Sequence, residues 1–220
     1  MSGMQKKAMI VHGGWDGHKP PEMAEIFKKM FAENGIDAKV FEGLESFSVE
    51  NDLESFDLII LLWGGFVEID FTKEQFALLS DAVNNGAGFA GCHATCDSFR
   101  HNLPYQALTG GHFVKHTPGL KEAHVKITDK SHVITKGVQD FVTTDEIYYL
   151  LIDPANKILA TAVYPDSDTF MPIAWVKNRG KGRVYYCSLG HTMERLLSEP
   201  TFTLIKQGFL WASEGKKALS

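Results

Sequence analysis

Two rhythms of apolar residues alternate along the first half of the chain. Residues 8–12 (Ala-Met-Ile-Val-His) form a short apolar run that stops at Gly13-Gly14, and residues 57–63 are apolar toward both faces and stop at Gly64-Gly65. Runs of this kind, with 38–41 and 88–92, read as strands. Between them the period lengthens. Met23, Ile26, Phe27, Met30 and Phe31 recur at three and four after Pro20-Pro21, as do Phe76, Leu79 and Val83 after Thr72. These spacings predict helices, opened by first-turn prolines and by a threonine cap, and stopped at Asn34-Gly35 and Asn84-Asn85-Gly86. Strands and helices in alternation predict an α/β fold with a mostly parallel central sheet, helices on both faces and right-handed crossovers.

After His93 the rhythm changes. Residues 103–114 suggest a short helix followed by a Gly110-Gly111 loop. Strand-like runs follow at 122–128, 147–152, 157–163, 172–177 and 183–188, with a hairpin turn at Gly180-Lys181-Gly182. A closing helix over about 200–213 carries Phe202, Ile205, Phe209 and Leu210, a face suited equally to a core or to a contact with a second copy. No Pro/Ser-rich linker divides the two halves, so residues 1–220 are expected to form a single domain with a β-rich C-terminal half.

Composition narrows the function classes. With 44% apolar and 22% charged residues the chain is an ordinary globular one. Lys and Arg (22) against Asp and Glu (27) leave a net charge of −5, unsuited to a nucleic-acid partner. The longest apolar run is far too short to span a membrane, and residues 1–7 contain no apolar signal region, which points to the cytoplasm. Three cysteines, Cys92, Cys96 and Cys187, lack a disulfide or structural-zinc spacing and are expected to be reduced thiols.

Chemistry is expected beyond the carboxyl ends of the strands. There the sequence places His12-Gly13-Gly14-Trp15, Trp63-Gly64-Gly65, Gly91-Cys92-His93-Ala94-Thr95 and Leu189-Gly190-His191-Thr192. Glycines admit close approach of a ligand, and indole faces suit the C–H faces of a sugar. His93 and His191 are therefore the leading acid/base candidates. A dinucleotide fingerprint is not met, because His12 stands where its first glycine belongs. His112 and His116, four apart in a predicted loop, together with Asp145 or Glu146, could supply ligands for a divalent cation such as zinc.

Several motifs occur in one order: Gly111-His112-Phe113-x-x-His116, Thr144-Asp145-Glu146-Ile147-Tyr148, residues 172–177, residues 180–186 and Leu189-Gly190-His191-Thr192. Together they resemble the ThuA-like, or trehalose utilisation, family over most of the chain. The resemblance implies a flavodoxin-like three-layer sandwich of the class I glutamine amidotransferase type. It lays Gly64-Gly65 over the oxyanion-hole loop, residues 91–95 over the nucleophile elbow and His191 over the histidine base. At the elbow His93 takes the position of the nucleophilic cysteine, and Thr95 replaces the final glycine. Glutamine hydrolysis is thus not expected, and a hydrolase built on Cys92 or Cys96 is the least favoured reading. The resemblance implies instead a carbohydrate-processing protein that moves a proton next to the carbonyl of a disaccharide or keto-sugar, as an isomerase, lyase or hydrolase. Catalytic roles fall to His93, His191, Asp145 and Glu146, and substrate contacts to His12, Gly14, Trp15, Trp63, Gly64, Gly65, His112 and Tyr148. The alternative is a non-catalytic carbohydrate-binding protein on a degenerate amidotransferase fold.

Overall fold

A computed structural model describes residues 5–65, 68–165 and 167–216. The ends of the expected 1–220 domain, and residues 1–4 of its opening segment, lie outside the described residues.

The first strand, β1 (Lys6–Gly13), leads into helix α1 (Pro20–Glu33), then β2 (Ile36–Glu42), β3 (Leu58–Trp63), α2 (Lys73–Asn84) and β4 (Gly88–Cys92). Each helix begins as its sequence dictates: α1 on Pro20 in its first turn, and α2 on a capping box in which Thr72 and Gln75 exchange hydrogen bonds with each other's backbone amides. Strands β1 and β3 are buried on both faces. Ala8 and Ile10 with Leu58, Ile60 and Leu62 face one apolar core, where Phe27 and Phe31 of α1 pack. Met9 and Val11 with Ile59, Leu61 and Trp63 face the other, built on Leu79, Ala82 and Val83 of α2. Burying each such side chain stabilises the sheet by about 1.5–3 kcal/mol, which is why these strands show no polar alternation.

The second half holds α3 (Leu103–Thr109), β5 (Gly111–His116), β6 (Lys121–Ile127), β7 (Phe141–Asp145), β8 (Tyr148–Ile152), β9 (Lys157–Val163), β10 (Phe170–Arg179), β11 (Gly182–Cys187), α4 (Met193–Leu196) and α5 (Glu199–Ala212). Among the described residues, one sheet runs in the order β2-β1-β3-β4-β11-β10-β9-β6-β7, and β5 and β8 form a separate pair. From β2 to β11 all pairs are parallel; beyond β11 all are antiparallel. The parallel part has the flavodoxin order, with β11 as its fifth strand and the order reversing between β1 and β3. Helix α5 packs Phe209 against Phe27 and Phe31, on the face opposite α2, completing three layers.

The sequence reading, which also lacks the short α4, differs from the structure most in two strands. Residues 111–116, expected as a loop, are β5: Gly110 takes the left-handed conformation at the end of α3 (φ +83°) and turns the chain directly into a strand paired with β8. Strand β7 was not anticipated, because Phe-Val-Thr-Thr-Asp is a half-exposed edge strand with no continuous apolar run. The turn at Gly180-Lys181-Gly182 does join an antiparallel pair, β10 and β11.

Candidate active site

Four segments meet at the carboxyl end of the parallel strands: the turn after β1, the end of β3, the elbow after β4 and the loop after β11. The first two touch backbone to backbone. The Gly64 amide donates to the Gly13 carbonyl at 3.0 Å, so that N–H is committed within the protein rather than offered to an oxyanion. A Cβ on Gly64 would fall 2.6 Å from the Trp15 nitrogen, and one on Gly14, whose φ is +81°, would fall 2.4 Å from the Gly64 oxygen. Only glycine allows this approach, and it delivers the turn carrying Trp15 and His18. At the elbow His93 itself adopts φ +43°. A left-handed conformation for a histidine at a strand-to-helix turn is strained, and it points the ring at the other loops.

Three imidazoles converge there. His93 Nε2 lies 3.0 Å from His191 Nδ1, and His18 Nε2 lies 3.3 Å from the same nitrogen. The opposite nitrogen of His93, Nδ1, lies 3.0 Å from the Ser188 carbonyl. A carbonyl only accepts, so Nδ1 carries the proton and Nε2 presents its lone pair to the group. Tyr148 Oη also reaches His93 Nε2, at 3.0 Å. Burial, reinforced by the Asp97 and Glu146 charges, raises that phenol far above its ordinary range and keeps it a donor.

Glu146 borders the group. One carboxylate oxygen lies 3.5 Å from His93 Nε2 and 3.4 Å from His191 Nδ1, and the other lies 3.1 Å from His116 Nδ1. His116 Nδ1 also donates to the Thr117 carbonyl at 2.7 Å, which leaves Nε2 as its basic nitrogen. Asp145 is fully buried and acts on the backbone: its carboxylate accepts from the amides of Glu146 (2.8 Å), Gly190 (2.7 Å) and His191 (3.1 Å). It is a positioning residue that ties the loop bearing Glu146 to the loop bearing His191.

Burial governs the titration here. It lowers His18 to about 3, helped by the neighbouring His93 and His191 and opposed by Glu146. It also lowers His191. For Glu146 burial pushes upward, but the surrounding imidazoles, His93 first and then His191 and His116, favour the ionised carboxylate and outweigh it, and the carboxyl falls below its usual value. At neutral pH, then, a carboxylate faces neutral imidazoles at His18 and His191.

The family model for trehalose utilisation, ThuA, matches residues 7–212. The chain belongs to the ThuA family. Among solved structures it is similar to ThuA-like proteins from Parabacteroides merdae (18% identity, 96% of this chain and 90% of that one, TM-score 0.81) and Bacteroides uniformis (20%, 96% and 93%, TM-score 0.80). It is also similar in fold to a glutamine amidotransferase from Methylobacillus flagellatus (13%, 84% and 70%, TM-score 0.54). Comparison with curated proteins gives no match. Membership of ThuA, a trehalose utilisation family, gives the chain a carbohydrate-related role.

In this ThuA protein a cavity of about 530 Å³, lined by none of the three converging histidines, shares Trp63 and Gly64 with the recess that His18 and His93 line. Gly65, Asp70, Asp97, Ser98 and Arg100 contribute to its wall. Asp97 and Arg100 are paired, Oδ1 to Nε at 2.7 Å. Trp63 is buried against Phe99, whereas Trp15 is exposed and stands edge-on to His18 at 4.7 Å between ring centroids. His12 is buried at the end of β1, outside the three-histidine group. His112 and His116 sit at opposite ends of β5, with a register irregularity between Phe113 and Lys115, and only His116 reaches Glu146. The residue that sequence reasoning missed is His18. Its one signal was its position, between the first strand's glycines and Pro20.

All three cysteines are buried. Burial pushes Cys96 and Cys187 up to about 12 and raises Cys92 as well. None is a thiolate near neutral pH, so none is equipped as a nucleophile. Among the described residues no helix is long and apolar enough to cross a membrane.

Proposed function

We propose that this protein is an enzyme that transfers a proton at the carbon next to a carbonyl in a keto-sugar, with a disaccharide or its keto derivative as the substrate class. The observation that carries this reading is Glu146, whose carboxylate joins His116 on one side to His93 and His191 on the other. An imidazole fixed through Nδ1 by a carboxylate and a carbonyl, as His116 is, carries its basicity at Nε2, and Glu146 is placed to stabilise an imidazolium formed there. Tyr148, held protonated, is suited to donate to the developing enolate oxygen. The cavity wall combines indole and phenyl rings with Asp70, Asp97, Ser98 and Arg100, a mixture suited to a hydroxyl-bearing ring. Reduced, buried thiols accord with a cytoplasmic location.

Incubating the protein with 3-keto-trehalose in D₂O and following it by NMR tests the reading. Deuterium should enter next to the carbonyl, or product should form, and Glu146→Gln and His116→Gln should each lower the rate by about 10²–10⁴. Saturable sugar binding without exchange or conversion would overturn the enzymatic reading in favour of a carbohydrate-binding protein. Unchanged turnover in Glu146→Gln would overturn the site.

A further inference from the structure

We infer that His18, His93 and His191 form a binding site for one borderline divalent cation of the zinc class. Their three ligand nitrogens lie within 4.8 Å of one another. Zinc–nitrogen bonds of about 2.0–2.1 Å in tetrahedral geometry require neighbouring nitrogens roughly 3.3 Å apart, and the two contacts made by His191 Nδ1 measure 3.0 and 3.3 Å. The nitrogens come from three separate segments, after β1, β4 and β11, each held from outside the group. His93 Nδ1–H on the Ser188 carbonyl is the outer-shell bond that fixes a ligating histidine's tautomer and aims its lone pair inward. Asp145 fixes the loop of His191 through the amides of residues 190 and 191. The Gly14–Gly64 approach fixes the turn that carries His18.

The Tyr148 hydroxyl competes for the His93 lone pair, as does the His191 ring N–H in the tautomer protonated at Nδ1. A single neutral hydrogen bond contributes little net stability beside coordination of a divalent cation by several protein ligands, so the cation displaces it. Three nitrogen ligands leave at least one coordination position for an exogenous oxygen. Glu146 borders the three nitrogens, nearest His93 and His191. Imidazole nitrogens without sulfur suit zinc, copper, nickel or iron rather than calcium, magnesium or manganese. This inference rests on the three histidines alone. Were the keto-sugar reading to fail, the cation site would stand, and turnover by a metal-free protein would leave that reading intact.

The test uses tag-free full-length protein, stripped with a chelator, desalted and titrated with Co²⁺ while the visible absorption is followed. One equivalent should bind with the intense d–d bands of four- or five-coordinate cobalt. His18→Ala and His191→Ala should weaken binding by more than about 100-fold, beyond the 10–100-fold that loss of an outer-shell partner costs, while His124→Ala, whose side chain is exposed on β6, should bind as wild type does. X-ray absorption on the zinc-loaded wild type supplies a readout that does not depend on any variant folding: it should give scattering from three imidazoles. No retained cobalt, a six-coordinate spectrum, undiminished binding in His191→Ala or fewer than three imidazoles in the absorption spectrum would each overturn the site.

Discussion

Asp145 and His191 are joined through the peptide rather than the ring: the His191 backbone amide donates to Asp145 Oδ1 at 3.1 Å, while the imidazole turns away to meet His93 and His18. The same carboxylate accepts from Gly190 and Glu146, so one fully buried side chain sets the distance between two loops far apart in sequence. Asp145→Asn replaces one acceptor oxygen by an amide group that must face a backbone N–H. Hydrogen bonds to charged groups contribute about 1.5–3 kcal/mol each, so the variant should be destabilised by about 2–4 kcal/mol. A urea melt checks this, with the midpoint falling and the slope unchanged; an unshifted midpoint would mean that the loops hold themselves.

Gly64 makes a second, separable prediction. A methyl group there meets the Trp15 backbone nitrogen and oxygen at 2.6 and 2.8 Å, atoms that cannot rotate aside. Gly64→Ala should therefore push the turn after β1 outward and carry His18 from its place beside His191, at a cost of about 1–3 kcal/mol. The signature is a selective loss: the NMR resonances of the His18 ring should shift while those of His132, which packs on Trp211 of α5, stay fixed. Equal shifts at both rings would point to general loosening instead.

How much of this was legible in the sequence depends on range. Strands β1, β3 and β4 could be read because burial on both faces leaves an uninterrupted apolar run, and α1 and α2 because their caps and stops are local. The fold type followed from the alternation. Within the site, His93 and His191 were marked by their positions after strands, and in the structure they lie within hydrogen-bond distance of each other. His18 was not, because a single turn between β1 and α1 has no periodicity, and its contact with His191 spans 173 residues. The direction of the Asp145 carboxylate, toward amides rather than imidazoles, depends on how the β7–β8 connection meets the loop after β11, which local sequence does not encode. His112 and His116 were read as loop residues able to share a cation, but on strand β5 a spacing of four spreads the two along its length.

The thiols give a chemical test of the elbow. Cys92 precedes His93 yet is fully buried, as are Cys96 and Cys187, and all three are raised well above an ordinary thiol by burial first of all. Iodoacetamide reacts with the thiolate. Native protein at pH 8 should remain unlabelled for hours, whereas protein in urea should take up three equivalents within minutes. Fast labelling of Cys92 alone in the native state would restore the cysteine-nucleophile reading.

Acid should unfold the metal-free protein partly through His18. Its pKa falls from 6.5 to about 3 on folding, because burial and the neighbouring imidazoles disfavour the charged ring. Between those values the unfolded chain binds the proton and the native protein does not. The contribution to stability is thus complete above about pH 6.5 and is lost as pH falls toward 3, with a slope of at most about 1.4 kcal/mol per pH unit. His191 and Glu146, also lowered, act in the same direction over their own windows. His18→Gln removes the titrating ring and keeps an amide in its place. Urea melts at pH 7, 6, 5 and 4 should show wild type losing stability more steeply than His18→Gln, the two curves converging as pH falls. Parallel curves would mean that folding does not hold His18 in its neutral form.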